Sequence, residues 1–233
     1  MPFIHKPVEL PSLDRETIDG VRYYKVPGDV TGELVKLVSI TSVTSHWKKE
    51  QIMAWRKRVG EEEANRISGK ATRRGTDMHT LTEHYLNNET LPKVKVPIAN
   101  ILFNTAKPAL NKIDNIIAQE RSMYSARLGI AGTVDCIAEY EGELSIIDFK
   151  TSAKVKPRKW IEGYFVQAAA YACMLYELTG IKAKKLVIIM ACEDGDLQVY
   201  EERDVFGHVR LLDQYIRKFV NDKLEKLWLP KMN

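Results

Sequence analysis

Two strand-forming runs separated by a two-residue gap constrain this fold more than any other feature. Residues 134–140 and 144–149 are rich in the β-branched and aromatic residues that favour strands. The intervening Glu141 and Gly142 are a tight-turn candidate, weaker than Asn-Gly or Asp-Gly. A two-residue loop there would pair Tyr140 with Glu143, so the sequence predicts an antiparallel hairpin in this segment.

The predicted register places charged residues on one face of the hairpin. Counting back from the turn, Asp135 lies directly across from Asp148, and Thr133 lies across from Lys150. Side chains alternate along a strand, so Asp148 and Lys150 share a face. The opposite face is predicted to be core and carries Cys136, Ile147 and Phe149. A β-bulge at the turn would shift this pairing by one residue.

This pattern suggests a metal site. Directly opposed carboxylates lie with their Cβ atoms about 4.5–5.5 Å apart and repel each other. Repulsion raises at least one pKa unless a cation relieves it, and Mg²⁺ takes oxygen ligands of this kind. Lys150 would add a positive charge near a bound phosphate or water. The alternative is an ordinary solvated hairpin whose Asp and Lys residues form surface ion pairs.

Composition and patterning predict one α/β domain with a mixed central sheet. The chain has 233 residues, 45% of them hydrophobic, and no Pro/Gly/Ser-rich linker. Within a single domain 1–233 we expect N-terminal strands and helices (1–118), a catalytic core (119–201) and a C-terminal helix (202–233). The predicted strands are 21–26, 34–40, 119–124, the hairpin, 185–192 and 197–201. The predicted helices follow Thr41 and cover 61–67, 76–88, 98–118 with a break at Pro108, 158–178 and 204–228.

Several classes of protein are excluded by the sequence. No apolar run approaches membrane-spanning length, and the N-terminus lacks a signal or transit pattern, so we expect a soluble intracellular protein with no membrane partner. The three cysteines, Cys136, Cys173 and Cys192, have neither a disulfide nor a zinc or iron–sulfur spacing. Each is predicted to be a core thiol. The net charge of +4 is compatible with nucleic acid but is weak evidence alone.

Other segments could support phosphate chemistry. Residues 73–79 are predicted to start a helix, where Gly75 permits close backbone approach and free N–H groups can bind an anion. His79 would lie one turn inside that helix. Its side chain would either face a metal or phosphate or have a purely structural role.

Gln167 and Tyr171 share a helix face among alanines and either reach over the strand end or pack at the core rim. Four basic residues follow the hairpin and could bind a nucleic-acid backbone or simply form a solvated loop: Lys154, Lys156, Arg158 and Lys159. Three aromatic residues come next and could stack on bases or form helix core: Trp160, Tyr164 and Phe165.

Four motifs in order carry a family resemblance. They are Arg74-Gly-Thr-x-x-His79, Gly132-Thr-Val-Asp135, Asp148-Phe-Lys-Thr-Ser152 and Gln167-x-x-x-Tyr171. Together they resemble the PD-(D/E)XK nuclease superfamily in its RecB-like exonuclease branch, especially the group of mitochondrial genome maintenance exonucleases and their phage-encoded relatives. The resemblance implies a restriction-endonuclease-like core with a mixed central sheet flanked by helices, plus an N-terminal helical region. A phage-encoded chain would act in the cytoplasm of a bacterial host.

The resemblance also implies roles for individual residues. Asp135, Asp148, His79, Glu120 and the Phe149 carbonyl would bind Mg²⁺ or Mn²⁺, and Lys150 would orient or activate water. Gln167 and Tyr171 would contact DNA or brace Lys150. The other implied DNA contacts are Arg74, Thr151, Ser152, Lys154, Lys156 and Arg158. No iron–sulfur cluster is expected.

The sequence departs from the family pattern in two places. No proline precedes Asp135, and the second acid is Asp rather than Glu. The expected function is a metal-dependent DNA exonuclease acting on free single-stranded ends in replication, recombination or DNA degradation. The alternatives are a catalytically silent DNA-binding module of the same fold and a structure-specific endonuclease.

Overall fold

A computed structural model describes residues 2–28 and 32–228, with side chains described through residue 223. The described residues form one eight-stranded mixed sheet and six helices. The strands are β1 (Arg15–Ile18), β2 (Val21–Pro27), β3 (Leu34–Ser39), β4 (Ile113–Ser125), β5 (Ile130–Tyr140), β6 (Glu143–Ser152), β7 (Lys185–Cys192) and β8 (Leu197–Glu202). The helices are α1 (Ile40–Trp47), α2 (Lys49–Val59), α3 (Glu61–Leu86), α4 (Ile98–Leu110), α5 (Glu162–Thr179) and α6 (Val205–Trp228), and a 3₁₀ turn covers Arg158–Trp160. The predicted α/β class with a mixed central sheet is confirmed.

The predicted hairpin is present between β5 and β6. Tyr140 pairs with Glu143, and the ladder runs back to the pair Cys136–Ile147. Glu141 and Gly142 both have positive φ, 53° and 78°. Two successive residues in this region are typical of a type I′ turn, whose twist matches that of the strands.

Beyond Cys136 the two strands separate, so one part of the prediction is wrong. The pairings of Asp135 with Asp148 and of Thr133 with Lys150 are not formed. On its other edge β6 stays paired in parallel with β7, from Ser145 to Ser152. The freed edge of β5 next meets β3, at Ile130 and Ala131. A short gap in the sheet therefore opens beside Asp135.

Helices cover both faces of the sheet and enclose two apolar cores. On one face α1, α5 and α6 pack over the strands. On the other face α3 and α4 cover the predicted core residues Cys136, Ile147 and Phe149, which are all buried. Cys173 is only half-buried, and all three cysteines are free thiols.

The structure corrects the prediction of a helix start at residues 73–79. The two predicted helices are one, α3, which runs without interruption from Glu61 to Leu86. Arg74 and Gly75 therefore lie in mid-helix, where backbone N–H groups are already bonded to the preceding turn. A glycine inside a helix costs only about 1 kcal/mol, which packing of α3 against α4 and β6 readily offsets.

The predicted helix 98–118 is also too long. α4 ends at Leu110, with Pro108 in its last turn, and β4 begins at Ile113. Ile113 and Asp114 pair with β5 instead, and after a register shift the pairing resumes at Ala118. The predicted boundary at 118/119 therefore falls inside a strand. β1 precedes the first predicted strand, 21–26, and was not predicted. No helix in the described residues is long and apolar enough to cross a membrane.

Candidate active site

Asp148 and Lys150 form a buried ion pair on β6. Asp148 Oδ2 lies 2.6 Å from Lys150 Nζ, and the Asp148 side chain is only 2% exposed. Its other oxygen, Oδ1, accepts a 3.2 Å hydrogen bond from Gln167 Nε2 on α5. Burial raises the pKa of Asp148 to about 6, with Lys150 opposing this shift and Asp135 adding to it. The carboxylate therefore depends on Lys150 for its charge.

Asp135 closes the gap between the separating strands with its side chain. Asp135 Oδ2 accepts a 2.8 Å hydrogen bond from the Phe149 N–H, which the ladder no longer satisfies. The Phe149 carbonyl accepts a second hydrogen bond, 2.8 Å long, from His79 Nε2. The peptide groups around Phe149 are thereby held between β5 and α3, with the Phe149 ring in the core.

His79, Glu120 and Asp135 form a cluster with metal-ligand character. His79 Nδ1 lies 3.5 Å from Glu120 Oε1 and 3.9 Å from Asp135 Oδ1. One potential ligand atom from each residue lies within 4.8 Å of the others. Glu120 occupies the β4 position across from Asp135, between the pairs Gln119–Cys136 and Arg121–Val134. Its φ of 45° interrupts the strand there, a conformation uncommon for a residue with a side chain.

The charges in this cluster shift the titration of His79. Burial opposes its charged form, but Asp135 and Glu120 outweigh burial and hold the pKa of His79 at about 9. The imidazolium thus supplies positive charge between the two carboxylates. A divalent cation with oxygen and imidazole ligands could supply the same compensation.

Tyr171 lies beneath the site and is buried. It is 1% exposed, so the ring lies in the core and not where it could contact DNA. A Cβ at Gly132 would come within 2.7 Å of Tyr171 Cε1 and 3.0 Å of Ile40 Cγ2. The absence of a side chain at residue 132 is therefore what lets Tyr171 lie across β5. Gln167 is also buried, and it braces Asp148 rather than Lys150.

Three residues predicted to contact DNA, Arg74, Thr151 and Ser152, form hydrogen bonds or ion pairs within the protein instead. Arg74 is 6% exposed, forms an ion pair with Glu193, and donates a 3.2 Å hydrogen bond to Thr151 Oγ1. Ser152 is buried and donates to the Lys154 carbonyl. Sequence reasoning misplaced Arg74 because it placed a helix start where α3 is continuous.

The predicted basic segment after β6 has varied environments. Lys154 is exposed. Arg158 pairs with Glu162 at 2.6 Å and Glu202 at 3.5 Å, so its charge is largely neutralised. Lys156 Nζ donates to Tyr164 Oη at 3.2 Å. Lys48 also lies close to Tyr164, with its Nζ 5.3 Å from the ring centre. The sequence did not indicate this placement, because only tertiary packing brings α1 to α5.

The fold and the site define a nuclease class, and comparison with known families agrees. A sequence model of the PD-(D/E)XK nuclease superfamily matches residues 54–225, and the chain belongs to this superfamily. The matched region contains His79, Glu120, Asp135, Asp148 and Lys150. The predicted family is thereby confirmed.

Curated relatives are similar over much of the chain. Mitochondrial genome maintenance exonuclease 1 of Homo sapiens is 28% identical over 197 residues, covering 80% of this chain and 53% of the relative. The Xenopus tropicalis protein of the same name is 30% identical over 129 residues, covering 54% and 35%. The matched part of the chain thus spans about half the length of the human relative and about a third of the length of the Xenopus tropicalis relative. A crystal structure of a Eubacterium rectale protein covers 67% of this chain and 71% of its own, at 15% identity and a TM-score of 0.48.

Proposed function

We propose that this protein is a divalent-metal-dependent deoxyribonuclease that degrades DNA from free single-stranded ends. One observation carries the proposal: three acids, a lysine and a histidine from α3, β4, β5 and β6 converge beside the gap in the sheet. Membership of a nuclease superfamily and similarity to relatives named exonucleases support it.

The residues present fit Mg²⁺ or Mn²⁺. Asp135, Glu120 and His79 offer oxygen and imidazole ligands within 4.8 Å of one another. Asp148 and the Phe149 carbonyl are the further candidates. Asp148 is now paired with Lys150, and the Phe149 carbonyl accepts a hydrogen bond from His79. When bound, such a cation would neutralise charge on the scissile phosphate and lower the pKa of a coordinated water.

The protein's own groups would position the substrate and the water. Lys150 Nζ has donors left after its bond to Asp148 and would hold the attacking water or a phosphate oxygen. Asp135 is oriented by the Phe149 N–H, and Asp148 by Gln167. These fixed partners keep the acids in one arrangement, which limits reorganisation during the reaction.

The first test is digestion of end-labelled single-stranded DNA with Mg²⁺ or Mn²⁺. The wild-type chain should release nucleotides, and Asp148→Asn and Lys150→Ala should each reduce kcat by at least about 100-fold, as loss of an acid–base group does. Asp213→Asn is a matched control, since among residues with described side chains that exposed acid on α6 pairs only with Arg217. Full activity in either site variant would defeat the assignment.

The requirement for ends is tested separately with circular single-stranded DNA. An end-dependent enzyme leaves circles intact and degrades the same DNA once it is linearised. Cleavage of circles at comparable rates would identify an endonuclease instead. Binding without cleavage under every divalent metal would identify the silent DNA-binding module.

A further inference from the structure

A group of lysines surrounds one aromatic ring next to Lys150. The ammonium groups of Lys48, Lys150 and Lys156 lie 5.3, 5.3 and 5.6 Å from the centre of the Tyr164 ring. Lys150 is paired with Asp148. Among residues with described side chains, no carboxylate lies within ion-pair distance of Lys48 or Lys156. Like charges placed around one ring repel each other, so the group favours an anionic partner.

Lys48 and Lys156 are held in place by other parts of the fold. Lys48 Nζ donates a 3.2 Å hydrogen bond to the Trp160 carbonyl. The backbone N–H of Lys156 donates to Gln198 Oε1 on β8 at 2.8 Å, and its carbonyl accepts from Gln198 Nε2 at 3.1 Å. Ligand binding to such fixed groups loses less entropy than binding to free surface lysines.

An aromatic cavity adjoins Lys48, which is one of its lining residues. It has a volume of about 600 Å³ and lies between the α1–α2 junction, the 3₁₀ turn and α6. Trp47 and Tyr215 stack in parallel in its wall, with ring centres 4.0 Å apart. Trp160 lines the cavity and is 60% exposed. Glu162 also lines the cavity, but its carboxylate is bound to Arg158 and His208.

We infer that this cavity holds one unpaired nucleotide of a DNA strand, with its base against Trp160 and its phosphate between Lys48 and Lys156. An exposed indole provides a stacking surface that any base can use, and lysines provide the phosphate contact. Lys150 belongs to both the lysine group and the ion pair with Asp148, so a nucleotide held here sets which phosphate reaches the site. The inference rests on the proposed function and adds a specificity device to it.

Binding is measured by fluorescence anisotropy with labelled single-stranded DNA in EDTA, where cleavage is suppressed. Trp160→Ala and Lys48→Gln should each weaken binding about tenfold. Lys48→Gln should also lower the slope of log K against log salt by about 0.7. The matched controls are Tyr176→Ala and Lys182→Gln, a second exposed aromatic–lysine pair distant from the site. They should bind as the wild type does.

Abasic substitutions in the DNA locate the base. An abasic site at one position of the DNA should weaken binding to the wild type as much as the Trp160→Ala substitution does. The same abasic site should not change the affinity of the Trp160→Ala variant. Blunt duplex DNA, whose bases are paired, should bind both proteins equally. Equal losses in the Tyr176→Ala control, an abasic effect that persists in Trp160→Ala, or no binding of single strands by the wild type would overturn the inference.

The two proposals fail separately in this design. Anisotropy without a cation reports binding alone, so a wild type that binds as described but never cleaves would defeat only the proposed function. A wild type that cleaves while Trp160→Ala binds and cleaves normally would defeat only the inference. Thermal melts show whether each variant is folded, and the exposure of Trp160 makes loss of folding unexpected.

Discussion

Each acid of the site is held by a different kind of partner. Asp148 is buried against an ammonium and an amide, Asp135 accepts a backbone N–H, and Glu120 faces an imidazole at a more exposed position. Of the three, Asp148 pays the largest desolvation cost, which is why its pKa rises to about 6 despite Lys150. The lysine is therefore both a candidate catalytic group and the residue that keeps a buried carboxylate charged.

Removing Lys150 should destabilise the cation-free protein in a pH-dependent way. In Lys150→Ala the pKa of Asp148 should rise further above its unfolded value of 3.8, since an opposing charge is lost. A raised folded pKa means that stability is retained at low pH and lost as pH rises through the folded pKa. We expect a loss of about 3–5 kcal/mol near pH 8, and a clearly smaller loss near pH 5, from denaturant unfolding in EDTA.

Two further variants test whether the Lys150→Ala result comes from the unpaired charge of Asp148. Adding Asp148→Asn should recover part of the loss near pH 8, because the unpaired charge is gone. Lys182→Ala removes an exposed ammonium and should change stability little at either pH. Equal destabilisation by Lys150→Ala at both pH values would argue against a charge effect.

At the scale of elements, the site exists because a strand pair separates. β5 and β6 are joined by a tight turn, but their ladder ends at Cys136, and β5 goes on to pair with β3 while β6 stays paired with β7. The gap lets the side chain of Asp135 bond to the Phe149 N–H in place of a ladder carbonyl. On the α5 side, Gly132 allows Tyr171 to pack against β5, which brings Gln167 over Asp148.

Gly132→Ala should therefore destabilise the protein. The new Cβ would lie 2.7 Å from Tyr171 Cε1 and 3.0 Å from Ile40 Cγ2, and both neighbours are buried. Overpacking of this kind costs about 1–3 kcal/mol. Denaturant unfolding measures it, and kcat should fall too as α5 shifts.

Gly69→Ala is the matched comparison for Gly132→Ala. Its Cβ would meet only Arg73 Nη1, at 3.4 Å, on a flexible side chain. Inside the continuous helix α3 this change should stabilise the protein by about 0.5–1 kcal/mol. A destabilised Gly69→Ala would contradict the single long helix.

At the scale of the whole molecule, the site joins parts of the chain that are distant in sequence. α3 supplies His79, β4 supplies Glu120, the hairpin supplies both aspartates and Lys150, and α5 supplies Gln167. A ligand that binds several of these groups stabilises the fold by binding the folded state alone. Binding of the cation should therefore raise the free energy of unfolding of the whole chain, independently of its effect on the cleavage rate.

Mg²⁺ or Mn²⁺ should raise the unfolding temperature of the wild-type chain. At a concentration about 100 times Kd the expected stabilisation is about 2.7 kcal/mol. Asp135→Asn should lose most of this increase, whereas Asp213→Asn should keep it. Thermal melts with and without the metal measure the difference. An unchanged increase in Asp135→Asn would remove Asp135 from the metal ligands.

Local sequence determined the parts of this protein that depend on short-range chemistry. The hairpin turn follows from Glu141-Gly142, whose positive φ angles are typical of a type I′ turn. The placement of Ile147 and Phe149 in the same core follows from alternation. The same alternation put Asp148 beside Lys150, and the four ordered motifs identified the family. These features need only neighbouring residues, so a linear pattern can report them.

Tertiary structure alone decided the rest. The β5–β6 ladder ends at Cys136, and β5 goes on to pair with β3, which leaves open the gap that a local register count had closed. Packing of α3 against α4 and β6 carried the helix through Gly69 and Gly75, and Glu193 neutralised Arg74. The placement of Lys48 beside Tyr164 likewise comes from α1 packing on α5. Contacts between distant segments leave no local pattern, because their free energy depends on which surfaces meet in the folded chain.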